Sequence, residues 1–341
     1  MTGEKIMKKY ICSALLTCLV ALPVMGAKSL VWPQPPEQAR IKFEKSITKA
    51  EDLEIKKGFF SKIWDFFAGG EEKILVKPFG IHVDEGKIFV TDPGLATLFI
   101  FDTDNNKMRT IQGYKSEKFI SPIDVATDGK GNIYVTDSVR KAVFIFNNRG
   151  IALRKIGKKN GLQRPTGIAV DKERQILYVS DTLASEIKRY SLKENKELKP
   201  IGSKGSGEGE LNRPTFITLD NEGKLYICDS MNYRIKIFDR GGKLLSSFGS
   251  LGNTIGSFSS PRGIAVDKDG NIYVTDTLFN AVQIFDPQGN LLLVFGSKGS
   301  GPGEFFGPED IAISKDGKAF VTDSYNMRVE AFDILSYNRN K

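Results

Sequence analysis

The chain has 341 residues, 40% of them hydrophobic and 26% charged, which excludes disorder by composition and supplies apolar side chains for a large core. Its net charge of +8 is spread along the sequence, so it favours acidic partners or anionic surfaces without forming a basic tail. Three cysteines and a single histidine exclude a disulfide framework and a histidine-rich zinc site.

In chain order, the first element is a leader. From Met7 the sequence reads MKKYICSALLTCLVALPVMGAK, with Lys8 and Lys9 ahead of an apolar run from Ile11 to Val24 and a small residue at Gly26 or Ala27. This predicts a signal peptide over residues 1–27 and export to the periplasm, the cell surface or the medium; the run is short for a membrane span. Lipid anchoring through Cys18 is not expected, because Thr17 precedes it and the apolar run ahead of it is short. Without the leader, Cys228 is the remaining thiol and no internal disulfide forms.

Residues 28–76 follow. VWPQPPE reads as an extended Pro-rich segment, and ARIKFEKSIT (39–48) alternates apolar and polar residues as a strand does. In KGFFSKIWDFFAGG, Phe59, Ile63, Phe66 and Phe67 fall at helical spacing, which predicts a short amphipathic helix over 58–67. That helix is either a plug on the rest of the fold or a docking element for a membrane or partner, and the sequence leaves both open.

The remainder is repetitive. GSKGSGEGELNRP at 202–214 returns as GSKGSGPGEFFGP at 296–308, with GSLGNTIGSFSSP between them at 249–261. Aligned on the closing proline, six units begin at residues 77, 121, 164, 213, 260 and 307, a spacing of 43 to 49. Each continues into a run such as I-Y-V-T-D, ending at Asp92, Asp137, Asp181, Asp229, Asp276 and Asp323, then a third apolar run and, in five units, a fourth. Four strands per unit of about 45 residues make a propeller blade. The glycine-rich string lacks the Lys-Ser/Thr ending of a phosphate loop, so it reads as the corner between one blade's outer strand and the next blade's inner strand.

The prediction is an all-β fold: a six-bladed β-propeller of four-stranded blades over 77–335, followed by a tail at 336–341. The sixth unit lacks its fourth strand, which the 39–48 strand supplies from the N-terminus, closing the ring and leaving no open edge. The units P-x-G-I-x-V-D, I-Y-V-T-D and I-F-D-x-x-G resemble NHL repeats over about residues 77–333. The resemblance implies a six-bladed propeller and is unspecific for activity, since that family includes RNA-binding and protein-binding propellers, exported proteins and zinc-dependent amidating lyases. The lyases need several histidines, and His82 stands alone.

Candidate site residues come from positions where the units differ. Asn232-Tyr233-Arg234 and Asn326-Met327-Arg328 match the N-x-R of the NHL pattern, and their arginines either face a partner at the rim or pair with an aspartate of the blade. Arg140 and Lys141 stand at that register without the asparagine and are freer to face a ligand. On the inner strands, Asp124, Asp310 and His82 replace small residues in consecutive blades and are expected to approach the central channel, with Arg262 and Glu309 at the same mouth. An aspartate-oriented histidine serves as a general base or metal ligand; otherwise it is a packed side chain bonded to its neighbours. The recurrent aspartates read as loop-holding groups, DKDGN (267–271) as a turn, and Cys228 as an inert packed thiol.

The sequence is thus read as an exported, non-catalytic binding or scaffold propeller that recognises a protein partner through one face, with no cofactor. The alternative is a lactonase-like hydrolase with a channel Asp/Glu/His cluster and calcium. Nucleic-acid binding is disfavoured by the leader and by the lack of a concentrated basic face.

Overall fold

The computed structural model describes residues 29–55, 75–157 and 161–335; the expected leader, the expected helix over 58–67 and the 336–341 tail lie outside the described residues. Two strands precede the first blade, β1 (Val31–Trp32) and β2 (Ile41–Ile47). Blade one is β3 (Ile81–Asp84), β4 (Lys87–Asp92), β5 (Thr97–Asp102) and β6 (Lys107–Ile111). A small hairpin, β7 (Gly113–Tyr114) and β8 (Glu117–Lys118), leads to blade two. Blade two is β9 (Pro122–Thr127), β10 (Ile133–Asp137), β11 (Ala142–Phe146) and β12 (Ala152–Ile156). Blade three is β13 (Pro165–Asp171), β14 (Ile176–Asp181), β15 (Glu186–Ser191) and β16 (Lys196–Ile201). Blade four is β17 (Ile217–Leu219), β18 (Leu225–Asp229), β19 (Arg234–Phe238) and β20 (Leu244–Phe248). Blade five is β21 (Pro261–Val266), β22 (Ile272–Asp276), β23 (Ala281–Phe285) and β24 (Leu291–Phe295). Blade six is β25 (Pro308–Ile313), β26 (Lys318–Asp323) and β27 (Arg328–Ile334), completed by β2.

The closing strand pairs antiparallel with β27 from Ile41↔Ile334 to Ile47↔Val329. The Pro-rich segment, expected to be extended, contributes β1 as a fifth strand, with Trp32 opposite Ile41. Its physical reason is packing: the Trp32 ring lies 6.0 Å from Phe295 and 5.9 Å from Phe332.

One hydrophobic cluster fills each of the six blade interfaces. The second strands are buried except for the first residue of β4, β14 and β26, so they read as continuous β-branched and aromatic runs. The inner-strand isoleucine of one blade meets the alanine row of the preceding one, as Ile168 meets Ala126 and Ile311 meets Ala265. Burying each such isoleucine contributes about 1.5–3 kcal/mol. Three residues before each closing proline, Leu75, Phe119, Leu162, Leu211, Phe258 and Phe305 are buried and anchor the interblade loop.

Hydroxyls of the I-Y-V-T-D strands bolt neighbouring blades. Thr91 donates to the Ile123 carbonyl at 2.7 Å, Thr136 to Thr166 at 2.6 Å and Thr322 to Phe79 at 2.7 Å, the last of these closing the ring. Cys228 occupies this position in blade four, its Sγ 3.8 Å from the Gly263 carbonyl, and burial holds its thiol well above its ordinary pKa.

Candidate functional site

The inner strands all run the same way, so the ring has an entry face where they begin and an exit face where they end. The buried aspartates that end the second strands shape the entry face. Asp92 Oδ2 accepts the Val76 and Lys77 amides at 2.7 and 3.0 Å, while Oδ1 accepts Leu95 N–H at 3.0 Å. Asp137 and Asp276 bind the equivalent amides on both sides. One carboxylate thus ties two loops and fixes a turn between the second and third strands.

That turn pushes the next large apolar side chain outward. Leu95, Val139, Leu183, Met231, Leu278 and Tyr325, one per blade, are 41% to 66% exposed. Six such residues on one face form a recurrent apolar ring, which a soluble surface does not require. The exposed cations Lys77, Lys141, Arg164, Arg213 and Lys298 belong to loops of this same face. Sequence reasoning missed this ring because it treated every recurring position as structural; the signal was an apolar residue two or three places after each aspartate.

Arg234 and Arg328 do not present donors at the rim. Arg234 Nε binds Asp229 at 3.0 Å and its Nη2 the Ser206 carbonyl at 2.8 Å. Arg328 binds Asp323 at 3.0 Å and the Ser300, Gly301 and Glu304 carbonyls at 2.8–2.9 Å. Their loops turn carbonyls inward, so the guanidinium groups are drawn in rather than out. Lys236, fully buried, donates Nζ to the Gly207 and Glu210 carbonyls at 2.7 Å each and also to Glu208. Burial and the nearby Arg234 lower its pKa to about 8. The loop at 202–211 is thus a carbonyl cage around a cation, opposite in polarity to a phosphate cradle. Gln283 and Glu330 stand at the same register in blades five and six; burial raises Glu330 to about 7.

The axial channel opens on the exit face as a cavity of about 470 Å³ lined by His82, Asp84, Asp124, Thr127, Lys172 and Asp310, among others. The structure therefore brings the three channel candidates into one cavity. Asp124 Oδ2 accepts Ile168 N–H of blade three at 2.8 Å, with Oδ1 on Val125 N–H at 2.7 Å. Asp310 Oδ2 accepts Ile81 N–H of blade one at 2.9 Å. Burial pushes Asp124 up to about 8; burial and then repulsion from Asp124 raise Asp310 well above the carboxylate range. Between these blades the same row holds glycines. A Cβ on Gly80 would meet the Ile123 carbonyl at 2.3 Å, and one on Gly263 the Asp310 Cα at 2.5 Å. The row Gly80, Asp124, Gly167, Phe216, Gly263, Asp310 thus alternates small and large around the axis.

His82 Nε2 lies 3.0 Å from Thr127 Oγ1, which donates to Asp84 Oδ2 at 2.6 Å; Lys172 Nζ donates to the same oxygen at 2.8 Å. Burial, with a smaller contribution from Lys172, depresses the His82 pKa to about 4, so the ring is neutral at pH 7. His82 fills the place that alanine holds in four other blades.

Arg262 and Glu309, expected at the same mouth as His82, are not part of this cavity: they begin the inner strands and sit at its opposite, entry end. Arg262 Nη1 is 3.8 Å from the buried Glu309 Oε2, whose pKa burial raises. Arg140, expected to be free for a ligand, donates Nε to the Lys118 carbonyl at 2.9 Å and faces Glu117 at 3.8 Å. Lys141 is exposed in the left-handed region at φ 54°.

The donor set does not suit calcium. Both oxygens of Asp124 and one of Asp310 already accept backbone amides, and the raised pKa values keep protons on this pair. Among the described residues no group of three His, Cys, Asp or Glu is placed to hold a metal. The carboxylate of Asp267 is likewise taken by Asp269 N–H, Asn271 and Tyr273 in a turn.

Comparison with known proteins agrees with this architecture. A family model described as 6-bladed beta-propeller matches residues 266–341 and a beta-propeller repeat matches 251–275. NHL repeat-containing protein 2 of Gallus gallus is 31% identical over 94 residues, 25% of this chain and 13% of that protein. Protein lin-41 of Caenorhabditis elegans is 44% identical over 46 residues, 14% of this chain and 4% of that protein. The chain thus spans a small part of the curated relatives it matches. Among solved structures, an auxiliary nutrient binding protein from Bacteroides thetaiotaomicron is 14% identical with a TM-score of 0.60, covering 76% of this chain and 69% of that one. Virginiamycin B lyase from Staphylococcus aureus, solved with quinupristin, is 16% identical with a TM-score of 0.57, covering 76% and 95%. Likeness at this identity is a likeness of fold. A further model matches residues 77–250, just over half of the sequence, and the chain belongs to the SMP-30/Gluconolactonase/LRE-like region family.

Proposed function

We propose that the protein is an exported, non-catalytic recognition propeller that binds a protein partner through its entry face. The observation that carries this reading is the ring of six exposed apolar side chains, one per blade, from Leu95 to Tyr325. Basic loops surround it, so charge complementarity favours an acidic protein surface that carries apolar residues of its own. The candidate cations Arg234 and Arg328 support this face from within, by holding its loops, while Lys141 belongs to its rim.

Photo-crosslinking from Val139, Leu183 and Leu278, with Leu153 and Leu245 on outer strands as controls, tests the reading in the native host. Crosslinks to one acidic protein from the three loop positions, and not from the controls, are expected. Equal labelling of controls, or capture of lipid alone, overturns the protein-partner reading. Sequencing the mature N-terminus tests export, which requires cleavage near Gly26 or Ala27.

The hydrolase alternative rests on the axial cavity and family membership. Calcium-dependent lactone hydrolysis by the parent, lost in Asp124→Asn, would replace the binding reading.

A further inference from the structure

On the outer flank between blades one and two lies a second cavity, of about 320 Å³, bounded by the end of β6, the β7–β8 hairpin and the turn between β11 and β12. Arg109, Lys115, Lys118 and Arg149 line it, and no carboxylate does. Local rules assemble it from segments far apart in sequence. Gly113, at φ 153°, leaves no room for a side chain: a Cβ would meet Lys118 Cα at 2.7 Å, so the hairpin folds tightly and brings Lys115 and Lys118 together. A Cβ on Gly150 would touch the Ile111 side chain at 3.3 Å, which seats the Arg149 turn against β6.

The nearby acid is already engaged. Glu117 pairs with Lys155 at 2.6 Å and faces Arg140 at 3.8 Å. Among the described residues no carboxylate lies within ion-pair distance of the half-buried Arg109 guanidinium, and Asp102 acts on it only from farther off while burial lowers its pKa. Like charges converging in one concavity repel, and removing a guanidinium from water adds to that penalty; an anion bridging the cations offsets both.

We propose that this flank pocket binds a diphosphate-class oxyanion, with Arg109 and Arg149 engaging phosphoryl oxygens and Lys115 and Lys118 completing the charge. Two guanidinium forks match paired phosphoryl groups in geometry, and four cations from three segments exceed what a single monovalent anion needs. The pocket is separate from the six apolar tips, so its failure and that of the entry-face reading are distinguishable.

The test is calorimetric titration with sodium pyrophosphate at fixed ionic strength. The parent chain is compared with Arg109→Met/Arg149→Met, with Lys115→Ala/Lys118→Ala in case the first variant misfolds, and with the charge-matched control Lys196→Met/Lys224→Met. Saturable binding is expected in the parent, weakened about tenfold or more in either flank variant and unchanged in the control. No binding by the parent, or equal weakening in the control, overturns the proposal. Phosphatidylcholine vesicles carrying phosphatidic acid identify the source. Displacement of pyrophosphate by them names a lipid headgroup, and its absence names a soluble anion; both uphold the oxyanion class.

Discussion

The carboxylate of Asp310 accepts the amide of Ile81 at 2.9 Å and so joins the last blade to the first across 229 positions of chain. Asp124 makes the same reach to Ile168, from blade two to blade three. In both, a buried acid at the wall of the axial cavity is held by an amide of the neighbouring blade. Ring closure therefore has at least four parts among the described residues: the β2–β27 pairing, the Thr322 hydroxyl on the Phe79 carbonyl, the Ser324 hydroxyl on the Pro78 carbonyl, and this carboxyl.

Asp310→Ala leaves the Ile81 amide buried without a partner and is expected to destabilise the fold by about 1–3 kcal/mol in chemical denaturation. Asp310→Asn retains an acceptor for the Ile81 amide, so it costs about 1 kcal/mol or less. The wild-type acids, with folded pKa values raised, stabilise most fully below the ordinary carboxyl value of 3.8. The Asp124 contribution fades as pH rises towards about 8. Asn at 310 should flatten the decline; an unchanged pH slope would remove the pair from the account.

Lys236→Met strips the buried donor from three carbonyls of the 202–211 loop. A loss of about 2–4 kcal/mol is expected, together with faster hydrogen exchange at Gly205 and Leu211, whose amides bond within the loop. Lys236→Arg, whose planar fork does not fit the three converging carbonyls, should not restore stability. Wild-type exchange rates in Lys236→Met would show that the cage holds itself.

His82 is the one histidine of the chain, so a proton NMR titration reports on it without assignment. The ring signal should titrate near 4 rather than at the ordinary 6.5. Because the unfolded histidine takes up its proton first, the stabilisation is complete above 6.5 and is lost as pH falls towards 4, by at most about 3 kcal/mol. His82→Ala should remove that acid limb of the stability profile. A titration at the ordinary value would place the ring in water.

Gly263→Ala places a methyl 2.5 Å from Asp310 Cα and 2.8 Å from the Glu309 carbonyl, contacts that backbone cannot yield without separating blades five and six. About 3 kcal/mol or more of destabilisation is expected. Gly209→Ala, where nothing lies within 4 Å, is the control and should fall within about 0.5 kcal/mol of the parent. Similar melting temperatures for the two would refute the close approach.

Blade number, strand order and the closing strand were legible because each depends on local alternation and turn chemistry repeated six times. The convergence of His82, Asp124 and Asp310 was legible for the same reason: departures from a repeated register share a place in the ring. The fate of Arg234 and Arg328 was not, since it depends on which way loop carbonyls turn in three dimensions. Nor was the pairing of Val31 and Trp32 with β2, which rests on aromatic partners almost at the other end of the chain. The flank pocket joins Arg109 to Arg149 across a blade boundary, where no sequence period relates them.

The alternation of glycine with Asp124, Phe216 and Asp310 along the inner row has a consequence of parity. Each glycine makes room for the backbone of the following blade, as Gly80 does for Ile123 and Asp124 and Gly167 for Thr215 and Phe216. Deleting or duplicating one blade would set two bulky residues, or two glycines, side by side at the seam; removing or adding a neighbouring pair would not. Along this row the ring thus repeats every second blade, three times around the axis.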